Sequence, residues 1–467
     1  MYNCNVTVKN SIFGTKVFYK QALLISLPVI LQNLVQNLVN LIDNFMVAGL
    51  GDIKMSGVNI AGQMIFVFAV ICNAVCMSGG IFVTQFFGAG DEDGMKQSIC
   101  FKGIVSFIVA AIYIFVCLVA PRQILSIMVK GNSEAAVILD EGVKYMRVMS
   151  LIGIFMPISY IFSSSLKETG RVRFPLIASL IAAAVNMVFN YLLIYGNLGA
   201  PKLEVVGAAI ATVIARFVEM IIYYIYLKRD NSPLLVSVKD YLHINKKLFI
   251  EMTRKSFMII FSELLWVICE TVTTALYNGR GGADVVSGMA ASFTIANLYF
   301  VAFGGVTVAT SVMIGKLLGE GNLEEAKQCK TWIYSGSTIF GMVMLGIGLL
   351  TTLLVPILYG SLSLSSQTLC RDMVFYMALF MPVWIFLNVE LAISRAGGDT
   401  KMAFIIDGLG NLFVVIPLVF YLAKCTSVGP VGIYIISKLV DVIKIALCYF
   451  WLRKEKWLVN LTVKKES

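Results

Sequence analysis

Ser78–Gln97, SGGIFVTQFFGAGDEDGMKQ, lies against Ala309–Gln328, ATSVMIGKLLGEGNLEEAKQ, at a constant offset of 231 residues. Gly88 then matches Gly319, Gly90 matches Gly321, and Lys96-Gln97 matches Lys327-Gln328; Ser56-Gly57 falls on Ser287-Gly288 at the same offset. Further along, Lys167-Glu168-Thr169-Gly170 faces Arg395-Ala396-Gly397-Gly398, and Val206-Gly207 faces Val431-Gly432, with small changes of offset. One unit therefore occurs twice, joined by the polar segment Lys228 to Lys247.

That unit is a set of membrane helices. Of the 467 residues, 58% are apolar and only 14% are charged, and the mean hydropathy is +0.85. A water-soluble fold of this length needs a charged coat and does not carry such values. Apolar runs of about 20 residues cross a ~30 Å hydrocarbon core. Twelve are predicted, over 22–48, 57–83, 99–121, 143–166, 176–196, 205–227, 250–278, 288–314, 331–357, 372–394, 402–423 and 430–452. Six spans per copy is an even number, so both copies enter and leave on the same side, as parallel repeats related by an axis along the membrane normal. The expected fold is an all-α polytopic membrane protein with twelve transmembrane helices in two six-helix pseudo-symmetric bundles. The N-lobe is expected over 1–227, a cytoplasmic linker over 228–249, and the C-lobe with a cytoplasmic tail over 250–467. Two such bundles can enclose a midplane cavity and alternate between inward-open and outward-open packings.

The net charge of +10 fits Lys and Arg retained on cytoplasmic loops better than nucleic-acid binding. With both termini in the cytoplasm, 25 Lys and Arg fall on the inner side, 9 outside and 3 (Arg216, Lys438, Lys444) within spans. The first span follows Lys9, Lys16 and Lys20 and is too long for a signal-peptide core, so it should stay attached. A multi-pass protein of the inner (plasma) membrane is expected. Its basic stretches Lys228–Lys247 and Arg453–Lys456 should touch anionic lipid. The cysteines read as small hydrophobes, and one histidine, His243, builds no metal cluster. No phosphate-binding G-x-x-x-x-G-K-[ST] loop occurs, Gly315-Lys316-Leu317 being the nearest, and no nucleophile elbow. No cofactor and no enzyme activity are expected.

The chemistry sits in the first helix of each copy. In Leu27–Asn44, residues Gln32, Asn33, Gln36, Asn37, Asn40, Asp43 and Asn44 fall within about 140° of arc at ~100° per residue. A central Asp facing hydrocarbon costs about 2.5 to 3.5 kcal/mol, so this face lines a cavity or packs on another polar face. Pro28 predicts a bend, because its missing N–H weakens the ladder one turn earlier. In the seventh span Ser262, Glu263, Glu270, Thr273, Thr274 and Asn278 share one side. The repeat sets Asn40 opposite Glu270 and Asp43 opposite Thr273, so each half has its own acid at a different register. The amides singly can equally be interhelical glue. Arg216 with Glu219 and Asp441 with Lys444, each at i,i+3, are expected to neutralise one another. Asp407 and Glu390 are second-half acids with no obvious partner.

These residues together resemble the multidrug and toxic compound extrusion (MATE) transporters. The most specific match is Arg395-Ala396-Gly397-Gly398-Asp399-Thr400-Lys401, similar to the family's R-x-G-G-D-T-[KR] loop after the tenth span. Pro28, Leu41-Ile42-Asp43-Asn44-Phe45 with Gly49-Leu50-Gly51, Asn186 to Gly196, and Val206 to Thr212 support it, as does the tail Lys456-Trp457-Leu458-Val459-Asn460-Leu461-Thr462. The resemblance implies export of organic, often cationic or amphipathic compounds in exchange for inward H+ or Na+, by a monomer. It also implies an N-lobe cation site of Asp43, Asn186, Asn190 and Thr212. Asn190 departs from the acid usual in archetypal members, which leaves Asp43 as that site's one carboxylate. Glu263 resembles a seventh-helix Glu that binds the coupling ion in another branch. Proton and organic cation would then compete for the same negative charge, and Na+ would draw on the oxygens of Asp43, Asn40, Asn186, Asn190 and Thr212. An exporter or flippase of a lipid-linked or native metabolite cargo shares the two-lobed architecture, but the acidic, amide-rich stripes disfavour an anionic substrate.

Overall fold

The computed structural model describes residues 11–129 and 134–463, so the expectations placed on Lys9, Lys130, Lys464 and Lys465 lie outside the described residues. The chain runs through α1 (Lys16–Ala48), α2 (Asp52–Ala89), α3 (Glu92–Val119), α4 (Pro121–Met128), α5 (Ala135–Met149), α6 (Ile152–Glu168), α7 (Arg173–Tyr195) and α8 (Glu204–Arg229). The short α9 (Val238–Leu242) then leads to α10 (Lys246–Asn278), α11 (Ala283–Gly319), α12 (Leu323–Thr352), α13 (Val355–Leu358) and α14 (Leu364–Ala396). The next span, Thr400–Cys425, starts as α15 (Thr400–Met402), continues through π-helical Ala403–Leu409 and Asn411–Val415, and ends as α16 (Ile416–Cys425). The final helix is α17 (Pro430–Leu452).

Among the described residues, ten helical segments are long and apolar enough to span a membrane, and α5 with α6 form a further span bent by 54°. The predicted span 143–166 is therefore two helices meeting at Ser150 and Leu151, and its polar N-terminal turns extend back to Ala135. α17 completes the twelve: its 23 residues suffice to cross, but they carry Lys438, Asp441 and Lys444. Two short helices escaped the sequence reading. α4 and α13 follow the third and ninth spans, and each has a proline in its first turn, where no N–H is missed.

The duplication reappears atom by atom at helix ends. After α2, Gly90 takes φ +70° while its N–H reaches the Phe87 carbonyl and that of Asp91 reaches Phe86. After α11, Gly321 takes φ +80° with the N–H groups of Gly321 and Asn322 on Leu318 and Leu317, the same bonds 231 residues later. Left-handed backbone is costly for residues with a Cβ, which explains both glycines. The R-x-G-G-D loop repeats the pattern of Gly170 and Arg171. The N–H groups of Gly398 and Asp399 bond Arg395 and Ser394, where those of Gly170 and Arg171 bond Lys167 and Leu166.

Two compact units are present, and they follow the two copies of the sequence except that the residues up to Ile30 and Thr84–Asp91 group with the second copy. One holds residues up to Ile30, Thr84–Asp91 and Phe257 onward; the other holds Leu31–Val83 and Glu92–Ser256. The cut in α1 falls within one turn of Pro28, where the helical ladder lacks a donor. Within the first unit the ends of α2 and α11 cross reciprocally. A Cβ on Gly88 would strike the Lys316 carbonyl, and one on Gly319 would strike the carbonyl of Gln85, the repeat mate of Lys316. Close backbone approach of this kind admits only glycine. Gln85, fully buried, fastens the crossing: its side-chain amide donates to Ala396 O at 2.8 Å and Val459 O at 3.3 Å, and its carbonyl accepts from Leu461 N at 2.7 Å.

In the second unit the linker is ordered around α9. Ser237 and Asp240 form a reciprocal cap, and the Ser237 backbone N–H and hydroxyl hold the Asp240 carboxyl below the usual carboxylate range. Gln97 ties the same segment by donating to His243 O at 2.8 Å and accepting from Asn245 N at 2.9 Å. Among the described cysteines only Cys425 is exposed.

Candidate functional site

Asp43 lies near the end of α1, half-buried, and accepts a hydrogen bond from the Asn190 side-chain amide of α7 at 2.6 Å. Asn190 also donates to Asn186 one turn away at 3.1 Å, and Asn186 donates to the Thr212 hydroxyl of α8 at 3.4 Å. The i,i+4 spacing of Asn186 and Asn190 puts both on the α7 face that packs on α8. Four residues named from the sequence thus form one chain. The buried Asn190 Oδ1 has no hydrogen-bond partner. An orphaned carbonyl beside a carboxylate is oxygen chemistry suited to a hard cation. Asn40 is exposed and Gln36 is half-buried, and neither joins this chain.

Upstream, the same stripe is structural. Gln32 is buried and donates to Ser179 at 2.9 Å and to Ser163 at 3.4 Å. Ser179 continues to Glu219 at 3.3 Å, which pairs with Arg216 at 2.8 Å, the within-helix neutralisation expected from their spacing. Sequence reasoning missed a fully buried Lys102, paired with Glu168 at 2.5 Å and bonded to Ser164 and Ser165. Lys102 falls inside the predicted span 99–121 and Glu168 just past the predicted span 143–166; Gly79, whose missing Cβ leaves room for the Lys102 stem, was the available signal.

The second copy pairs its acids with cations. Glu263 of α10 meets Arg395, the first residue of the R-x-G-G-D-T-K loop, at 3.2 Å. Glu270 meets Lys438 of α17 at 3.2 Å. Asp407, expected to lack a partner, accepts from Lys444 at 3.0 Å; Lys444 also pairs with Asp441 at 3.2 Å and donates to Asn411 at 2.7 Å. Asp407 and Asn411 both belong to the π-helical stretches, and the wider π turn resets which way each side chain faces. Asp441 additionally accepts from the Trp384 indole at 3.0 Å. Glu390 is the exception, fully buried with neither carboxylate oxygen hydrogen-bonded. Asp399 accepts from the Trp451 indole at 2.7 Å, and Gly398 supplies the φ of +77° that lets the loop turn.

Twelve spans built from a duplicated six-helix unit, with carboxylates set inside them, fit the fold of a membrane transporter. The MatE family model matches residues 28–192 and 259–421, one stretch in each copy, and the chain belongs to that family of transporters, which are not enzymes. Among curated proteins it is 24% identical over 315 residues to "Probable multidrug resistance protein NorM" of Thermotoga maritima, covering 65% of this chain and 64% of that protein. It is 21% identical over 420 residues to "Probable multidrug resistance protein YoeA" of Bacillus subtilis, covering 87% and 88%. The chain thus spans just under two thirds of the first relative's length and most of the second's. In fold it is similar to a crystal structure of MATE in the straight conformation, with a TM-score of 0.83 at 19% identity over 95% and 97% of the two chains. A MOP superfamily transporter from Pyrococcus furiosus, whose binding pocket is described as of reverse polarity, gives 0.82 at 19% identity over 95% and 97%.

Proposed function

We propose that this chain is a secondary active multidrug exporter, moving small cationic or amphipathic organic compounds outward in exchange for inward H+ or Na+. The carrying observation is Asp43, a carboxylate held by an amide rather than by a lysine or arginine. An acid without a fixed counter-cation can take a proton, a sodium ion or an organic cation in turn, and that competition couples the two flows. Sodium would draw on Asp43, Asn186, Asn190 and Thr212, and the orphaned Asn190 oxygen supports that set. One inward charge across about 150 mV releases ~3.5 kcal/mol, enough to sustain a few-hundred-fold gradient of a neutral substrate.

In this reading lobes 1–227 and 250–467, related by an axis along the membrane normal, rock between inward-open and outward-open packings, and both termini lie in the cytoplasm of a plasma-membrane monomer whose basic stretches contact anionic lipid. Export of a lipid-linked or native metabolite is the runner-up. It needs free positive charge in the spans, and Arg395, Lys438 and Lys444 are each already bound to an acid. The test is ethidium efflux from energised cells, with and without Na+ and with a protonophore. Efflux that Asp43→Asn abolishes at unchanged expression supports the reading, and the ion response names the driver. Full activity in Asp43→Asn, or no efflux of any cation under either gradient, overturns it.

A further inference from the structure

Lys438 lies against two aromatic rings and an acid. Its ammonium lies 5.6 Å from the ring centroid of Trp384, 5.6 Å from that of Tyr434, and 3.2 Å from the Glu270 carboxylate. Two aromatic faces and one acid are the usual means of holding an ammonium or a flat organic cation. Both faces are fixed before any ligand arrives. Trp384 is pinned through its indole N–H to Asp441 and packed against Phe300, Phe303 and Phe380, and Tyr434 packs edge-on against Tyr277 at 6.0 Å. The rings are buried, yet the Lys438 and Glu270 side chains keep 20% and 35% of their surface exposed, so the charged end of the cage can be reached. A structural ion pair does not need such a cage. Lys444, which neutralises Asp407 and Asp441, has no ring under its ammonium.

We propose that the cage of Trp384, Tyr434 and Glu270 is a binding site for organic monocations, and that Lys438 is a tethered occupant which such a ligand must displace. The proposal rests on the reading of this chain as a cation exporter and adds a selectivity element to it. Lys438 has a flexible four-carbon stem and a strongly hydrated head, so it can leave towards water when a larger, less hydrated cation takes the ring faces. While it stays, Glu270 is neutralised and an incoming cation meets like charge. The lysine thus sets a threshold: weakly aromatic or strongly hydrated cations fail to displace it.

Ethidium binding to the purified full-length protein in lipid nanodiscs, followed by dye fluorescence without any gradient, tests this. Lys438→Met frees Glu270, which is exposed enough to tolerate the loss. Ethidium should then bind at least tenfold tighter, equivalent to ~1.4 kcal/mol. Lys438→Gln guards against misfolding of the apolar variant and should show the same sign; Lys438→Arg should bind as wild type. Adding Glu270→Gln to Lys438→Met should cancel the gain. Folded Lys438→Met and Lys438→Gln proteins that bind ethidium no tighter than wild type overturn the proposal, as does a gain that survives Glu270→Gln. An anionic dye bound by wild type and lost in Lys438→Met overturns it too, because Lys438 would then be an anion contact. Wild-type efflux with no gain in these variants removes this inference and leaves the exporter reading. A gain without any efflux does the reverse.

Discussion

Asp43 and Glu270 mark what became of one polar face after duplication. In the first copy the acid stands at the register of Asp43, and its repeat mate Thr273 turns inward to bond the Cys269 carbonyl at 2.8 Å. In the second copy the acid stands one turn earlier, at Glu270, where the first copy has Asn40, and it is bound to Lys438. The first copy thus keeps Asp43 among amides, and the second, Glu390 apart, holds Glu263, Glu270, Asp407 and Asp441 against Arg395, Lys438 and Lys444. A charge fixed to its counter-charge contributes to folding and orientation, whereas a charge held by an amide stays available to an exchangeable cation. Two copies of one helix bundle can therefore divide labour by moving a side chain one turn and supplying a lysine.

The sharpest way to break this contrast is to strip the second copy of a cation. Lys444→Met leaves Asp407 and Asp441 buried and unpaired, and about 3–5 kcal/mol of stability should be lost, read as a large fall in thermal midpoint or in folded yield. If Lys444→Met is as stable as wild type, the second copy's pairs are not structural. Next in size is the converse: Asp43→Asn should reduce ethidium efflux at least a hundredfold, ~2.7 kcal/mol in the transport step, while moving the melting temperature little because no ion pair is broken. A collapse in stability with efflux per folded molecule intact would invert the assignment. Gly319→Val tests the part both copies share, the crossing of α2 and α11. Overpacking against the Gln85 carbonyl should cost about 1–3 kcal/mol, and Gly88→Val against Lys316 should cost a similar amount. Unequal losses would show that the crossing is less symmetric in energy than in shape. The smallest effect belongs to Arg122→Ala, which removes the exposed pair with Asp140 and should change stability by no more than about 1 kcal/mol.

The spans were legible because their length is set by the bilayer, and the duplication because caps such as Gly90 and Gly321 need the same residue for the same backbone angle. The i,i+3 pairs Arg216–Glu219 and Asp441–Lys444 were also legible, since helical spacing alone brings them together. Pairs across helices were not. Glu263 with Arg395, Glu270 with Lys438 and Asp407 with Lys444 depend on how two helices are rotated against each other, which no single helix records. For Asp407 the π-helical turns also shift the phase that a 3.6-residue period assumes. The Asp43, Asn186, Asn190 and Thr212 chain came from a family resemblance rather than from spacing, and Gln36 and Asn40 lie outside it because the stripe is longer than the surface it meets. The break at Ser150 and Leu151 went unseen because 143–166 reads as one continuous apolar run across it; Gly153 lies in the first turn of α6, and Pro157 a full turn and more past the break.

The clasp on Gln85 also bears on how the chain is made. Leu461 is 376 residues from Gln85, so at least that length of chain must follow before the buried amide at the end of α2 acquires its last partner. Until then the Gln85 carbonyl lacks its partner, and before Val459 its amide has only Ala396 to fasten the crossing beyond the glycine contacts. A chain that stops short of Leu461 is thereby left with an open seam at this crossing for quality-control proteases to find.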